Sequence, residues 1–431
     1  MTIPTKAQAQ ASRSVDIGVV VDAYSAGNFL PAAFAAVAPQ LTLVHVQGTP
    51  ELLTTMSPPK LQNFARNIVR QPDGEAELIE ELRGLHAGFV IPGQESAVEL
   101  ADRLSEALGL PTNGTALSKA RRDKYEMIET VRHAGLRCAR QFKSSDPLEA
   151  AAWARREGHY PVVVKPPASA GTDGVRICAD AAEALAAVRH VLASSDIFGR
   201  PNGQALVQSY LDGTEYIVDT VSVDGAHHVC GVWEYDKMLL PSGKRIYYRD
   251  VLADPDTAAV KELAAYTERV LDALGIRWGP AHTEVIITAG GPALVEVGAR
   301  INGGLDPDYH DLVTGTNQAR LTALAYVDPE RFARQYAGVL YSKLMTAVFY
   351  SASTTLDGVV SEINEEAVAE IRGLGSVRHV VLKHKPGDRI QPTVDLLTIP
   401  MLVLLAADDP AQVESDCERV RQLKDAVYRI G

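Results

Sequence analysis

The segment Ala281-His-Thr-Glu-Val-Ile-Ile-Thr-Ala-Gly-Gly-Pro-Ala-Leu-Val-Glu-Val-Gly-Ala-Arg300 leaves the chain few ways to fold around it. Two apolar runs with β-branched residues flank Gly290-Gly291, the composition of a strand–turn–strand unit. If Ala289, Gly290 and Gly291 form the loop, Glu284 stands directly opposite Glu296. Opposed residues hold their Cβ atoms about 5 Å apart, and like charges there are destabilising. Two carboxylates that close share a proton or a cation. Alternation puts His282 on the Glu284 face, and Gly298 and Arg300 on the Glu296 face. A Gly-Gly loop would instead shift the register by one and send the glutamates to opposite faces.

The N-terminal part alternates strands with helices. Val15–Val21 and Leu41–Val46 read as buried strands around an Ala-rich helix at Leu30–Ala38. Gly88–Ile91 and a helix over Ser96–Leu108 follow. This order argues for a parallel sheet covered by helices, with ligands beyond the carboxyl ends of its strands. Two loops qualify, Asp22–Gly27 and Pro92–Ser96, and neither carries a G-x-G-x-x-G fingerprint. Ser118–Ala134 is a charged helical stretch that opens a second unit. Glu215–Val223 alternates cleanly up to Asp224-Gly225, a strong hairpin signal, with His228–Trp233 as the return strand. His227-His228 beside that turn is expected at the surface. The units read as a tail over 1–14, a Rossmann-like domain over 15–118, a small subdomain over 119–212 and a large one over 213–431.

At 431 residues the chain suits about two or three packed units. A formal net charge of −12 makes a nucleic-acid backbone a poor partner. Cys138, Cys178, Cys230 and Cys417 form no C-x-x-C pair, which fits a reducing compartment without structural zinc. No apolar run is long enough to span a membrane, and the polar start lacks a signal-peptide core. A cytoplasmic location is expected.

Pro166-Pro-Ala-Ser-Ala-Gly-Thr-Asp-Gly-Val175 follows the apolar run that ends at Lys165. Small residues let the backbone approach a ligand closely, and free N–H groups can cradle phosphate oxygens. A lysine closing an apolar strand is costly to bury without an anion. A plain hairpin loop with a snorkelling lysine explains the same residues. Gln208-Ser-Tyr-Leu-Asp-Gly-Thr-Glu215 joins two strands; Tyr210 and Leu211 could line a base, and Glu215 could accept from ribose hydroxyls.

Taken together these residues resemble the ATP-grasp superfamily of ATP-dependent carboxylate–amine ligases. Lys124, Lys165, the Ser-Ala-Gly-Thr-Asp-Gly loop, Gln208, Glu215 and the Glu284/Glu296 pair occur in that family's order. The stretches Lys-Pro-x-x-Ser-Ala-Gly-Thr-Asp-Gly-Val and Glu-Val-Gly-Ala-Arg-x-x-Gly-Gly look most like L-amino-acid ligases and dapdiamide-synthetase-type enzymes. The resemblance implies an α/β ATP-grasp fold behind a Rossmann-like parallel-sheet domain. It implies an ADP-forming ligase that joins a small carboxylic acid to an amine or amino acid through an acyl phosphate, using ATP and Mg²⁺ or Mn²⁺. Neither nucleic acid nor membrane is implied as a partner, and a homodimer is compatible with it.

Carried over residue by residue, Lys124, Lys165, Ser169, Gly171, Thr172, Gly174, Gln208, Tyr210, Leu211 and Glu215 would hold ATP. Glu284 and Glu296 would bind the metal, and Arg300 would meet the γ-phosphate or acyl phosphate as the catalytic cation. His282, Trp233, Tyr235, Gly303 and Gly304 are expected on the substrate side. Many ATP-grasp enzymes carry an asparagine two residues after the second glutamate as a further metal ligand. Here that position is Gly298, so water or another residue would complete the shell, with Asn302 a nearby candidate that spacing does not require. A biotin-carboxylase-like or purine-pathway ligase, or a non-catalytic nucleotide-binding module, would share the same nucleotide site.

Overall fold

The computed structural model describes residues 15–53, 56–157, 160–168, 174–196, 199–239, 245–394 and 398–431. The expected tail over 1–14 lies outside them. The alternating N-terminal runs form four parallel strands, Ile17–Val21, Thr42–Gln47, Arg66–Val69 and Phe89–Pro92. The first strand is central, with Val19, Val20 and Val21 fully buried, so both of its faces must be apolar. The Arg66–Val69 strand lies at the sheet edge and buries only Ile68, so its polar residues hide it from pattern reading. Strand order reverses between the first and fourth strands. The crevice at their carboxyl ends is therefore bounded by the Asp22–Gly27 and Pro92–Ser96 loops.

A second sheet is antiparallel, in the order Gln141–Ser144, Ala205–Ser209, Val162–Lys165, Arg176–Cys178. Helices Pro147–Glu157 and Ala181–Leu192 pack Ala150, Ala154, Ala184, Ala187 and Val188 against it. The third sheet has eight strands and carries the hairpin of interest at one edge. Within it Gly213–Val223 and Ala226–Leu239 are joined by Asp224-Gly225, with φ of 48° and 83°. Positive φ at both central residues is what a two-residue primed turn demands. The C-terminal strands Thr346–Ala352, Met401–Ala407 and Val377–Leu382 extend the same sheet rather than forming a separate body.

Helix Lys124–His133 begins where Asp123 accepts from the backbone N–H groups of Tyr125 (2.8 Å) and Glu126 (3.1 Å). It buries Met127, Ile128 and Val131 among Leu294 and Val297 of the hairpin, in the large sheet's core. Its first residue, Lys124, is thereby delivered to the hairpin. His227 and His228 depart from expectation, since both are buried. His227 Nδ1 lies 2.7 Å from Ser222 Oγ, and His228 Nδ1 lies 2.6 Å from the Val339 carbonyl. The two paired strands are covered by helices on both faces there, which a turn-adjacent pair does not reveal. Among the described residues no helix is long and apolar enough to cross a membrane.

The N-terminal domain is pinned to the end of helix Ala258–Ala273, which packs on the large sheet, by Arg121, which is fully buried. Its guanidinium donates to Asp102 Oδ2 at 2.8 Å and to the Leu274 carbonyl at 2.9 Å, while Ser118 Oγ donates to the same carboxylate oxygen at 2.6 Å. Removing one partner of such a pair strands a buried charge, which costs about 3–5 kcal/mol. Arg121→Met is therefore expected to lower the midpoint of thermal unfolding sharply, followed by circular dichroism. An unchanged midpoint would show that the domains are held by apolar packing instead.

Candidate active site

The hairpin strands run Gly279–Thr288 and Gly291–Gly298, and Glu284 stands opposite Glu296 as expected. The route to that register differs from the sequence reading. The turn is Ala289-Gly290, with Thr288 paired to Gly291. That turn alone would pair Glu284 with Val295. A register shift after Glu284, which leaves Val295 without a partner, resets the ladder and restores the glutamate pair. A β-bulge beside a functional site re-aims side chains in this way.

Cations surround the pair. Lys124 Nζ lies 2.6 Å from Glu296 Oε2. Lys165 ends its strand in a buried position, within electrostatic reach of Lys124, Glu296, Glu284 and Glu215. Burial and the neighbouring Lys124 ammonium push Lys165 down to about 8, against the pull of the three carboxylates. Burial opposes charge on Glu296 as well, but Lys124 and Lys165 override it and hold the carboxyl at about 2. His282 Nδ1 lies 2.8 Å from Asp219 Oδ1, and its Nε2 lies 3.7 Å from Glu284 Oε1. Burial favours a neutral imidazole there, yet the Asp219 and Glu284 carboxylates push it up to about 9.

Arg300 faces the same space, with its Nε 3.0 Å from Glu95 Oε2, and Arg122 pairs with the other oxygen of that carboxylate. Glu95 comes from the Pro92–Ser96 crevice loop, which the sequence marks as a ligand loop without singling out this residue. Burial disfavours its charge, but Arg122, Arg300 and Lys124 hold its carboxyl below the usual range. Glu95 also accounts for Gly298. A Cβ there would lie 2.8 Å from Glu95 Oε2 and 3.1 Å from Arg300 Cζ, so the carboxylate occupies the space that a side chain would need. Asn302 is engaged with Asp219 and with its own turn. Its Nδ2 donates to Asp219 Oδ2 at 2.8 Å, and its Oδ1 accepts from the Gly304 N–H at 2.8 Å.

The remaining predicted residues divide by position. Glu215 is buried and ion-paired with Lys237, which sequence reading also missed. Gln208 is buried within the small sheet, donating to Gln141 Oε1 at 2.9 Å. Tyr210 and Leu211, half-buried, lie in the connector between the small and large sheets. Gly174 closes the glycine-rich loop with φ of 66°, beside Pro166. The Pro167 carbonyl accepts from the Lys124 N–H at 2.8 Å, tying that loop to the helix that supplies Lys124. Ser169, Gly171 and Thr172 lie outside the described residues. Tyr235 is half-buried, and Gly303 and Gly304 are exposed in the turn after Arg300. Trp233 is not available to a substrate in this structure. It is 2% exposed, stacked on Tyr309 and packed edge-on against His310 and Phe349 beneath helix Pro307–Thr314.

Among the described residues no group of three or more His, Cys, Asp or Glu side chains is arranged to hold a metal. Two opposed carboxylates with all-oxygen donors suit a hard cation such as Mg²⁺, which keeps waters and shares its shell with substrate phosphates. The donor set fits that ion.

Residues 158–307 match the ATP-grasp domain model. The chain is 34% identical over 424 residues to dapdiamide A synthase of Enterobacter agglomerans, covering 96% of this chain and 97% of that protein. The chain belongs to the ATP-grasp family. L-amino acid ligase from Bacillus licheniformis superposes with a TM-score of 0.74 at 20% identity, over 97% of this chain and all (100%) of that one. The biotin carboxylase domain of Hydrogenobacter thermophilus 2-oxoglutarate carboxylase, crystallised with MgADP, ADP and bicarbonate, superposes at 0.64 and 15% identity. That match covers 97% of this chain and 91% of the other. In this ATP-grasp chain the matched segment runs from just before the Lys165 strand to the turn beyond Arg300.

Proposed function

We infer that this protein is an ATP-dependent ligase that forms an amide bond between a small carboxylic acid and an amine or amino acid. The observation that carries the reading is the opposed Glu284/Glu296 pair ringed by Lys124, Lys165 and Arg300, in a chain related over nearly its whole length to dapdiamide A synthase. The substrate carboxylate attacks the γ-phosphorus of ATP, giving an acyl phosphate and ADP, and the amine then displaces phosphate from the acyl carbon.

Negative charge moves through both steps, and fixed cations in a poorly hydrated site oppose its build-up. Lys165, pressed down to about 8 by burial and by Lys124, gains most from a phosphate placed against it, because the anion restores its full charge. Lys124 now rests on Glu296 and can exchange that carboxylate for a phosphate oxygen. Mg²⁺ held by Glu284 and Glu296 would neutralise charge on the transferred phosphoryl group. Arg300, fixed by Glu95, would meet that group or the acyl phosphate from the other side. Glu215, Tyr210 and Leu211 are the candidates for ribose and adenine.

The test is phosphate release from ATP across a matrix of small acids and amines, with mass spectrometry of the products. ADP, phosphate and an amide are expected. Chelation of divalent ions should abolish turnover, and Mg²⁺ or Mn²⁺ should restore it. AMP with pyrophosphate, or ATP hydrolysis that depends on bicarbonate alone, would overturn the reading.

A further inference from the structure

Almost every carboxylate facing the site already has a cation. Glu296 has Lys124, Glu215 has Lys237, Glu95 has Arg122 and Arg300, and Asp219 and Glu284 share His282. Asp250 does not. Among the described residues, no hydrogen bond or ion pair engages its carboxylate.

Asp250 lies on strand Arg245–Leu252, opposite Tyr235 on one side and Phe349 on the other. Tyr235 and Lys237 alternate onto the face that bears Glu215, as the Lys237–Glu215 pair requires. Phe349 packs against Trp233, Tyr309 and His310 on that same face. Asp250 therefore points into the site rather than into the opposite layer, and it is only half-buried. The charged and titratable groups that bear on it are His282 and Glu284 from strand Gly279–Thr288, Glu215 from Gly213–Val223, Asp236 from Ala226–Leu239, and Tyr309 from helix Pro307–Thr314.

We propose that Asp250 receives the ammonium of the incoming amine substrate and takes its first proton. The proposal rests on the amide-ligase reading. An ammonium nitrogen has no lone pair, so it must be deprotonated before it can attack. Burial, reinforced by Glu284, Asp236 and Glu215 and opposed by His282, pushes Asp250 up to about 8. A carboxylate so raised is a far stronger base than an exposed one. An ammonium seated against it favours the ionised carboxylate.

The ammonium gives one proton to the Asp250 carboxylate, and the freed lone pair forms the C–N bond at the acyl carbon. As the C–O bond to phosphate breaks, a second proton leaves nitrogen for the departing phosphate oxygen. Asp250 returns its proton to solvent.

Hydroxylamine separates this step from activation, because its nitrogen is unprotonated at neutral pH and captures acyl phosphate without a base. In the full-length wild-type enzyme with ATP, Mg²⁺ and an accepted acid, both hydroxamate and amide form. Asp250→Asn is expected to keep hydroxamate formation within about twofold while amide formation at neutral pH falls about a hundredfold or more. Its residual amide formation should rise about tenfold per pH unit, following the free amine. Asp250→Glu should recover part of the rate.

Wild-type enzyme that yields no hydroxamate from any acid would overturn the amide-ligase reading itself. A D250N enzyme with normal rates for both products would overturn the role of Asp250 alone. Loss of both products in D250N would also overturn it, because the residue would then serve activation or folding rather than the amine.

Discussion

Replacing Glu296 with glutamine is expected to cut phosphate release from ATP by about a hundred- to a thousandfold, the scale on which one preorganised electrostatic contact acts in a closed site. Glutamine keeps the shape but removes the charge that Lys124, at 2.6 Å, and Lys165 are arranged around. Two ammonium groups would then face each other across a neutral amide. The pH dependence has a definite sign. The folded-state pKa is depressed to about 2, so the stabilisation that the carboxylate contributes is present above its unfolded value and is lost only as pH falls toward 2. At neutral assay pH the wild-type carboxylate is fully ionised, so pH there cannot mimic the substitution. Binding supplies a second readout, since a ligand that binds only the folded protein raises its unfolding temperature. Wild-type protein should be stabilised by ATP with Mg²⁺ beyond ATP alone, and the variant should lose that increment. A variant with full turnover and an intact Mg²⁺ increment would remove the hairpin from the site.

How much of this was legible in the sequence differs from residue to residue. The Asp224-Gly225 hairpin and the buried first strand could be read directly, because turn chemistry and period are local properties. The opposed glutamates were also legible, but by a route that the structure corrects. Gly290-Gly291 suggested a three-residue loop, whereas a shorter turn and a bulge at Val295 give the same pairing. A bulge leaves no composition behind in an apolar run. The loop that carries Glu95 was legible as a ligand loop, but the role of Glu95 within it was not. Its partners Arg122 and Arg300 are distant in sequence, and only the docking of the N-terminal domain brings the three together. Trp233 was misread because alternation gives a face but not what covers it. The helix lying over that face begins after Arg300 and Gly304, so the tryptophan is roofed by its own chain. Asp250 is illegible for the converse reason: nothing about an aspartate in a strand shows that its neighbours leave it without a cation.

The absence of a side chain at position 298 leads to the other large effect. Restoring the asparagine that many ATP-grasp enzymes carry there, by Gly298→Asn, is expected to lower turnover by about a hundredfold rather than to improve metal binding. The backbone at Gly298 is not in a positive-φ conformation, so conformation does not forbid a side chain. Space does. The first added carbon would stand 2.8 Å from Glu95 Oε2 and 3.3 Å from Arg300 Nε. Glu95 could retreat only by surrendering its pair with Arg300, and Arg122 holds it from the other side. The cost therefore falls on the guanidinium assigned to the phosphoryl group. A cycle with Glu95→Ala tests that chain of cause. Residues in contact are not additive, so if asparagine acts by dislodging Glu95, the double variant should be no worse than the poorer single one. Independent, multiplying losses would place the defect elsewhere. A G298N enzyme that keeps its turnover and needs less Mg²⁺ would show that the position can serve as a ligand and that Glu95 does not fill it in solution.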